Sequence, residues 1–190
     1  MILEGIVTTV SATGVVNIAP MGPSVEADMQ HFLLRPFPSA QTYRNLKANG
    51  QGVLHVTDDV WLLAQAAVGT VDPQPELMPA QKVNGFVLAD ACRYYEFRIT
   101  ETDESGQRMH MHAEVVHSGR LRDMFGFHRA KHAVLEAAIL ATRVAFLPHK
   151  DILAEFEKFS VIVDKTGGDR ERQAMDFLQA FVDRHVREFT

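Results

Sequence analysis

A single cysteine, Cys92, in 190 residues excludes an intrachain disulfide and a cysteine-built metal cage, because each needs at least two thiols. Basic clusters are missing too. With 19 Lys and Arg against 24 Asp and Glu, the formal charge is -5, and affinity for a nucleic-acid backbone comes from clustered cations. The balance argues against a duplex-binding surface, and no nucleic-acid partner is expected. No apolar run approaches the ~20 residues of a membrane span. The opening stretch MILEGIVTTV has no basic leader and holds Glu4 inside its apolar run, which is a poor secretory signal. The expectation is a cytoplasmic protein with no membrane partner. Also missing are the G-x-S-x-G nucleophile turn, the P-loop and the dinucleotide-binding G-x-G-x-x-G.

What remains is ordinary globular composition, 46% hydrophobic and 23% charged. The order of its patterns is informative. LEGIVTTVSATGVVNIAPMG (3–22) predicts two β-branched strands around a turn at Ala12–Gly14. HFLLR (31–35) and GVLHVT (52–57) predict two more strands. ACRYYEFRITET (91–102) and QRMHMHAEVVHSG (107–119) flank DESG as a hairpin. Between Ser39, as N-cap, and Asn49–Gly50 lies a predicted helix. VWLLAQAAV (60–68), capped by Asp58 or Asp59, predicts another, and VDPQPELMPAQK (71–82) reads as loop. After Gly119 the period becomes helical: one helix from His128, a second in 149–163 and a third from Asp169. Strands followed by helices indicate an α+β fold, mainly β, with a small barrel first and a helical extension after it. The expected units are 1–118 and 119–190.

One stretch carries chemistry. LRPFPSAQTYRNL (34–46) ends an apolar strand on Arg35 and opens a helix with Ser39 and Thr42 at its first turn. Free N–H groups and the positive dipole end there favour an anion such as phosphate, and a guanidinium fork matches its oxygens. The alternative is plain helix capping beside a solvated arginine. In FHRAKHAVLEA (127–137), His128, His132 and Glu136 share a face. A metal site, an anion contact through Arg129 and Lys131, or a dimer or solvated face are the competing readings, with no metal assigned because H-x-x-x-H lacks the inner glutamate of a zincin. His110 and His112 alternate on one strand with His117 nearby, and cross-strand packing on Tyr94 or Phe97 is favoured over a metal. Cys92 reads as a core residue, and Trp61 as a core anchor or a ligand wall.

EGIVTTVSATGVVNIAPMG (4–22), with its N-x-x-P element Asn17–Pro20, resembles the opening hairpin of flavin-reductase-like proteins with an FMN-binding split barrel. RPFPSAQTYRNL (35–46) is similar to the phosphate loop and helix of that superfamily. NIAPMG together with HRAKHAVLEAAILATR (128–143) resembles an uncharacterised archaeal and bacterial branch of it, over Leu3 to about Arg143. The resemblance implies an FMN-binding split β-barrel and a homodimer with FMN at the subunit interface. It places the phosphate on Arg35, Ser39 and Thr42. Asn17, Ala19, Pro20, Met21 and Gly22 run along the ring system or ribityl chain, and His55, Val56 and Thr57 line the other flank. Many relatives have Asn where His55 stands. Arg129 and Lys131 are candidate second anion contacts. The implied function is a flavin-dependent oxidoreductase, with a non-enzymatic flavin carrier or sensor as the alternative. Without a dinucleotide fingerprint, NAD(P)H would bind transiently against the flavin. The apolar circumference of 133–146 is expected to contribute to the dimer.

Overall fold

A computed structural model of the chain describes residues 1–188. By their contacts these residues form two units, 1–57 with 73–124, and 58–72 with 125–188. The second takes in 58–72, a segment that a single cut at 118 leaves with the strands.

The first unit is a curled antiparallel sheet. Its strands are β1 (Gly5–Val10), β2 (Val16–Met21), β3 (Ser24–Val25), β4 (His31–Leu34), β5 (Gln51–Val56), and, beyond a small pair β6 (Leu77–Pro79) and β7 (Phe86–Leu88), the long hairpin β8 (Arg93–Asp103) and β9 (His110–Arg120). The seven-stranded order is β2-β1-β5-β8-β9-β4-β3, with every pairing antiparallel. At the far edge the sheet returns on itself. The Leu3 N–H donates to the Pro23 carbonyl at 3.0 Å and the Val25 N–H to the Met1 carbonyl at 2.7 Å. The stretch entering β1 thus closes onto β3, and β2 is left outside as an edge. Pro20 fits there, since an edge strand tolerates a residue with no N–H to donate.

The β1–β2 turn forms as its residues suggest. Ser11 Oγ accepts the N–H groups of Thr13 and Val15, and Gly14 takes the left-handed φ of +84°. The helix α1 (Gln41–Asn49) stops at Gly50, φ +64°, whose N–H returns to the Leu46 carbonyl. Its start differs from the sequence expectation. Ala40, not Ser39, is the N-cap, and no side chain accepts a hydrogen bond there. The Ala40 N–H donates to the Phe37 carbonyl, so the turn begun at the prolines holds Ser39 one residue too early. The 71–82 segment also differs: it contains β6, paired to β7. Three prolines hid a strand too short to show alternation.

Val7, Phe32, Leu34, Leu46, Leu54, Phe97 and Met111 fill the barrel, with Phe32 edge-on to Phe97 at 5.1 Å. Each such side chain contributes about 1.5–3 kcal/mol by leaving water. Three polar side chains are fully buried and tie the β6–β7 segment down. The Thr8 hydroxyl donates to the Phe86 carbonyl at 2.5 Å. Glu96 accepts the N–H groups of Gln81, Lys82 and Val83. His55 binds the Ile6 carbonyl through Nδ1 and the Leu88 N–H through Nε2, each at 3.0 Å. A carbonyl must accept and an N–H must donate, so His55 is the neutral Nδ1–H tautomer. Its desolvation pushes its pKa down to about 4.

The second unit packs α2 (Val60–Ala67), α3 (Arg129–Ala141), α4 (His149–Thr166) and α5 (Asp169–Glu188). Asp59 caps α2 by accepting the Trp61 and Leu62 N–H groups. Trp61 meets Phe177 edge-on at 5.3 Å, which makes it an anchor of the helical core. Ala130, Ala133, Val134, Ala137, Ala138 and Ala141 of α3 are buried within this unit. The inward face of the 133–146 stretch is therefore covered by the chain's own helices, while Phe146 in the same stretch stays exposed. Lys131 Nζ sits 2.9 Å from Glu171 Oε1 and donates to the Asp58 carbonyl at 2.7 Å. Burial pushes the Glu171 carboxyl up, but Lys131 and the Gly168 N–H outweigh it and hold the group below the usual carboxylate range. No described helix is long and apolar enough to cross a membrane.

Two predictions follow from these buried polar groups. Above pH 6.5 His55 is neutral both folded and unfolded. Below it the unfolded chain takes up a proton that the folded chain refuses until about pH 4. Stability should therefore fall by on the order of 3 kcal/mol between those pH values. His55→Gln, which keeps a donor and an acceptor, should flatten that slope in urea unfolding at pH 7 and pH 4.5. Lys131→Met strands a buried carboxylate and should cost about 2–3 kcal/mol, less than the loss of a fully buried pair; thermal unfolding measures it.

Candidate functional site

The residues singled out around the first helix converge on one feature of the barrel unit. β4 ends at Leu34, Arg35 follows, and a six-residue connection brings the chain to α1. The Arg35 Nε is buried and has no hydrogen-bond partner. A buried donor left unmade costs about 1–3 kcal/mol, more when it belongs to a charged group. Proteins rarely keep such a group without an acceptor, which a protein group, a water or a bound anion can supply. The first turn of α1, with no side-chain cap, presents N–H groups in the same short stretch. Arg35 and this turn together are the chemistry of an anion receptor.

Hydroxyls and amides hold the helix start in place. Thr42 is buried, and its Oγ1 accepts from Asn17 Nδ2 at 3.1 Å. Thr9, on β1, accepts from Asn45 Nδ2 at 3.0 Å and from Asn17 Nδ2 at 3.5 Å. Gln41 Nε2 donates to Asn45 Oδ1 at 2.7 Å. The network joins α1 to both strands of the first hairpin. Thr9 and Asn45 were not singled out from the sequence. The signal available was a buried-face asparagine four residues after Gln41, on a helix whose other inward residues are Thr42, Tyr43 and Leu46.

Ser39 is exposed, and its carbonyl accepts from the Arg44 guanidinium at 2.7 Å, which leaves its hydroxyl at the surface of the loop. Asn17, Ala19, Pro20 and Met21 lie half-buried along the edge strand β2, and Gly22 follows it. A Cβ on Gly22 would approach Glu4 Oε1 to 2.9 Å, the mobile end of a side chain that can turn aside. β5 lies between β1 and β8 with both edges paired. His55 has both ring nitrogens committed to backbone, so its side chain has no polar atom to offer a ligand. Val56 and Thr57, at the end of β5, are half-buried.

Arg129 and Lys131 belong to the helical unit. Arg129 is exposed, whereas the Lys131 ammonium is engaged by Glu171 and the Asp58 carbonyl. His128 Nδ1 caps α3 by accepting the Lys131 N–H, and His132 stacks on Phe127. Among the described residues no three His, Cys, Asp or Glu side chains are grouped as metal ligands. His117 packs on Tyr94, with ring centroids 5.9 Å apart. His110 and His112 instead stand exposed, opposite Asp103 and Glu101, further along the hairpin than Tyr94 and Phe97.

Compared with curated proteins, the sequence matches none. Among solved structures, an FMN-bound protein of Methanosarcina mazei from the family called DUF447 is similar with a TM-score of 0.81 and 22% identity. The match covers 95% of this chain and 94% of that one. A flavoredoxin of Methanosarcina acetivorans is similar with a TM-score of 0.53 and 14% identity, over 63% of this chain and 68% of that one. The 2-nitrobenzoate 2-nitroreductase of Pseudomonas fluorescens is similar with a TM-score of 0.53 and 16% identity, over 62% of this chain and 64% of that one. These likenesses establish the fold. Two family models, both described as protein of unknown function (DUF447), match residues 3–122, as its N-terminal domain, and residues 128–180, and the chain therefore belongs to the DUF447 family.

Proposed function

We propose that this protein binds FMN by its phosphate and acts as a flavin-dependent oxidoreductase. The observation that carries the reading is the buried, unpartnered Arg35 Nε beside the uncapped start of α1. A phosphate dianion supplies the acceptor that this donor lacks. The solved structure that resembles nearly the whole chain holds FMN, and several flavin-handling proteins share the barrel.

In this assignment Arg35 and the Ser39 and Thr42 hydroxyls hold the phosphate. Asn17 is oriented by Thr42 and Thr9, and with Ala19, Pro20, Met21 and Gly22 it borders the ribityl chain and ring system from the edge strand. Val56 and Thr57 close the opposite flank, and position 55 contributes shape only. Bound FMN would supply the electron-transfer chemistry. The chain's own task is to fix that group, keep water from it and tune it through backbone donors. Arg129, rather than the engaged Lys131, is the basic residue of α3 suited to a substrate anion. NAD(P)H is the electron donor we infer, held transiently because the chain has no dinucleotide fingerprint. Self-association into a homodimer accounts for the exposure of Phe125, Phe127 and Phe146 on the helical unit, each more than four-fifths exposed. The lone, buried Cys92 agrees with a reducing cytoplasmic compartment.

The absorption spectrum of freshly purified protein should show the two flavin bands or acquire the shifts of bound flavin on titration with FMN. Arg35→Ala should weaken FMN binding by about 1.5–3 kcal/mol, and unchanged affinity in a fluorescence titration refutes the phosphate assignment. Steady-state NAD(P)H oxidation with FMN should show turnover. Tight stoichiometric binding without turnover identifies a flavin carrier or sensor instead.

A further inference from the structure

The tip of the β8–β9 hairpin, residues 103–109, lies along α1 and the loop before it, and three contacts fix it there. Tyr43 Oη donates to Glu104 Oε1 at 2.8 Å. Lys47 Nζ sits 2.8 Å from the same oxygen and 2.9 Å from Oε2. At the other end the Met109 N–H donates to the Pro36 carbonyl at 3.1 Å. Between these anchors the Arg108 guanidinium stacks on the Phe37 ring, 4.3 Å from its centroid.

Charge is sorted along this tip. Glu104 is held towards the C-terminal half of α1 by Lys47 and Tyr43. Asp103 Oδ1 accepts the Ser105 N–H. Arg108 is placed at the opposite end, over the loop that runs from Arg35 to α1. Among the described residues no hydrogen bond or ion pair engages its guanidinium, and the side chain is exposed. Stacking on an aromatic face limits where the cation points without consuming its N–H donors. Arg44, the other exposed arginine of this stretch, spends its donors on the Ser39 carbonyl and Gln41 Oε1.

We infer that Arg108 is a further phosphate-binding residue, an outer cation at the 35–39 loop that Phe37 holds ready for the dianion gripped by Arg35. The inference rests on the phosphate reading above. It deepens that reading by adding a residue from a distant part of the sequence and by making affinity depend on ionic strength, because an exposed guanidinium acts through a screened field. Both contacts discriminate a phosphorylated ligand from its dephosphorylated form, the inner one supplying the larger share and the outer one the salt-sensitive share.

The test compares FMN with riboflavin on the full chain, by fluorescence titration at low and moderate salt. Arg108→Ala should raise the FMN dissociation constant about three- to fivefold at low salt, the range for an exposed ion pair. It should also reduce the salt dependence and leave riboflavin affinity unchanged. Phe37→Ala, which removes the platform and keeps the charge, should give a smaller change of the same kind. Unchanged FMN affinity in Arg108→Ala overturns the inference, and so does equal weakening of FMN and riboflavin, which marks a merely structural role. A second readout needs no flavin binding: modification of Arg108 by phenylglyoxal, followed by mass spectrometry, should slow severalfold in inorganic phosphate at constant ionic strength. Protection by phosphate in a protein that binds no FMN would defeat the cofactor reading and leave Arg108 as an anion contact. Absence of protection defeats the inference itself.

Discussion

The hydroxyl of Thr9 holds the first helix to the sheet. It accepts from Asn45 and Asn17 at once, and Asn17 donates in turn to Thr42. All four side chains are confined where hairpin and helix meet, and a buried amide that loses its partner costs about 1–3 kcal/mol. Sliding or rotating α1 by one position would break several of these bonds together. The start of the helix is therefore held by the bonds that join it to the first hairpin. The side chains that fix the helix are thus spent against the sheet, while the N–H groups of its first turn carry no side-chain cap.

The net charge of -5 makes a local arrangement necessary. An acidic chain that is to attract a dianion cannot rely on its overall field. Several of its carboxylates are engaged by partners within their own units. Glu104 is paired with Lys47, and Glu171 is held in the helical unit by Lys131. Glu96 is turned inwards to accept three backbone N–H groups. Each of these acids is occupied by structure, while Arg35 is left with an open donor.

Much of this was legible before the fold was known, and for physical reasons. β-branched alternation around Gly14, the DESG turn and the helical period after Gly119 mark elements whose signals span many residues. Their burial and pairing are as expected, and so is the curled barrel they build. Shorter signals failed where geometry decides. Ser39 has the chemistry of a cap but not the position, because the proline turn before it sets the phase of the helix. β6 lies in a proline-rich stretch, and only its pairing to β7 makes it a strand. The family resemblance sets His55 on a ligand-lining strand, and the structure commits its ring nitrogens to backbone. Its role depends on Ile6 and Leu88, 49 and 33 residues away, and no local pattern carries that distance. The apolar face of α3 was legible, but its partner was not: amphipathicity shows that a surface is covered and does not name the cover. The membership of α2 was likewise invisible, since its composition suits any interior.

That membership has a consequence for how this chain can be divided. Residues 58–72 leave the strand-rich unit after β5, lend α2 to the helical core and return before β6. The polypeptide therefore crosses between the units three times, although the two family matches meet once, between residues 122 and 128. Cutting at that seam would strip Val60, Leu62, Leu63 and Ala64 of their partners and leave an oily helix on the N-terminal fragment. The helical half is thus not a free-standing module: without α2, borrowed from before the seam, its core is incomplete.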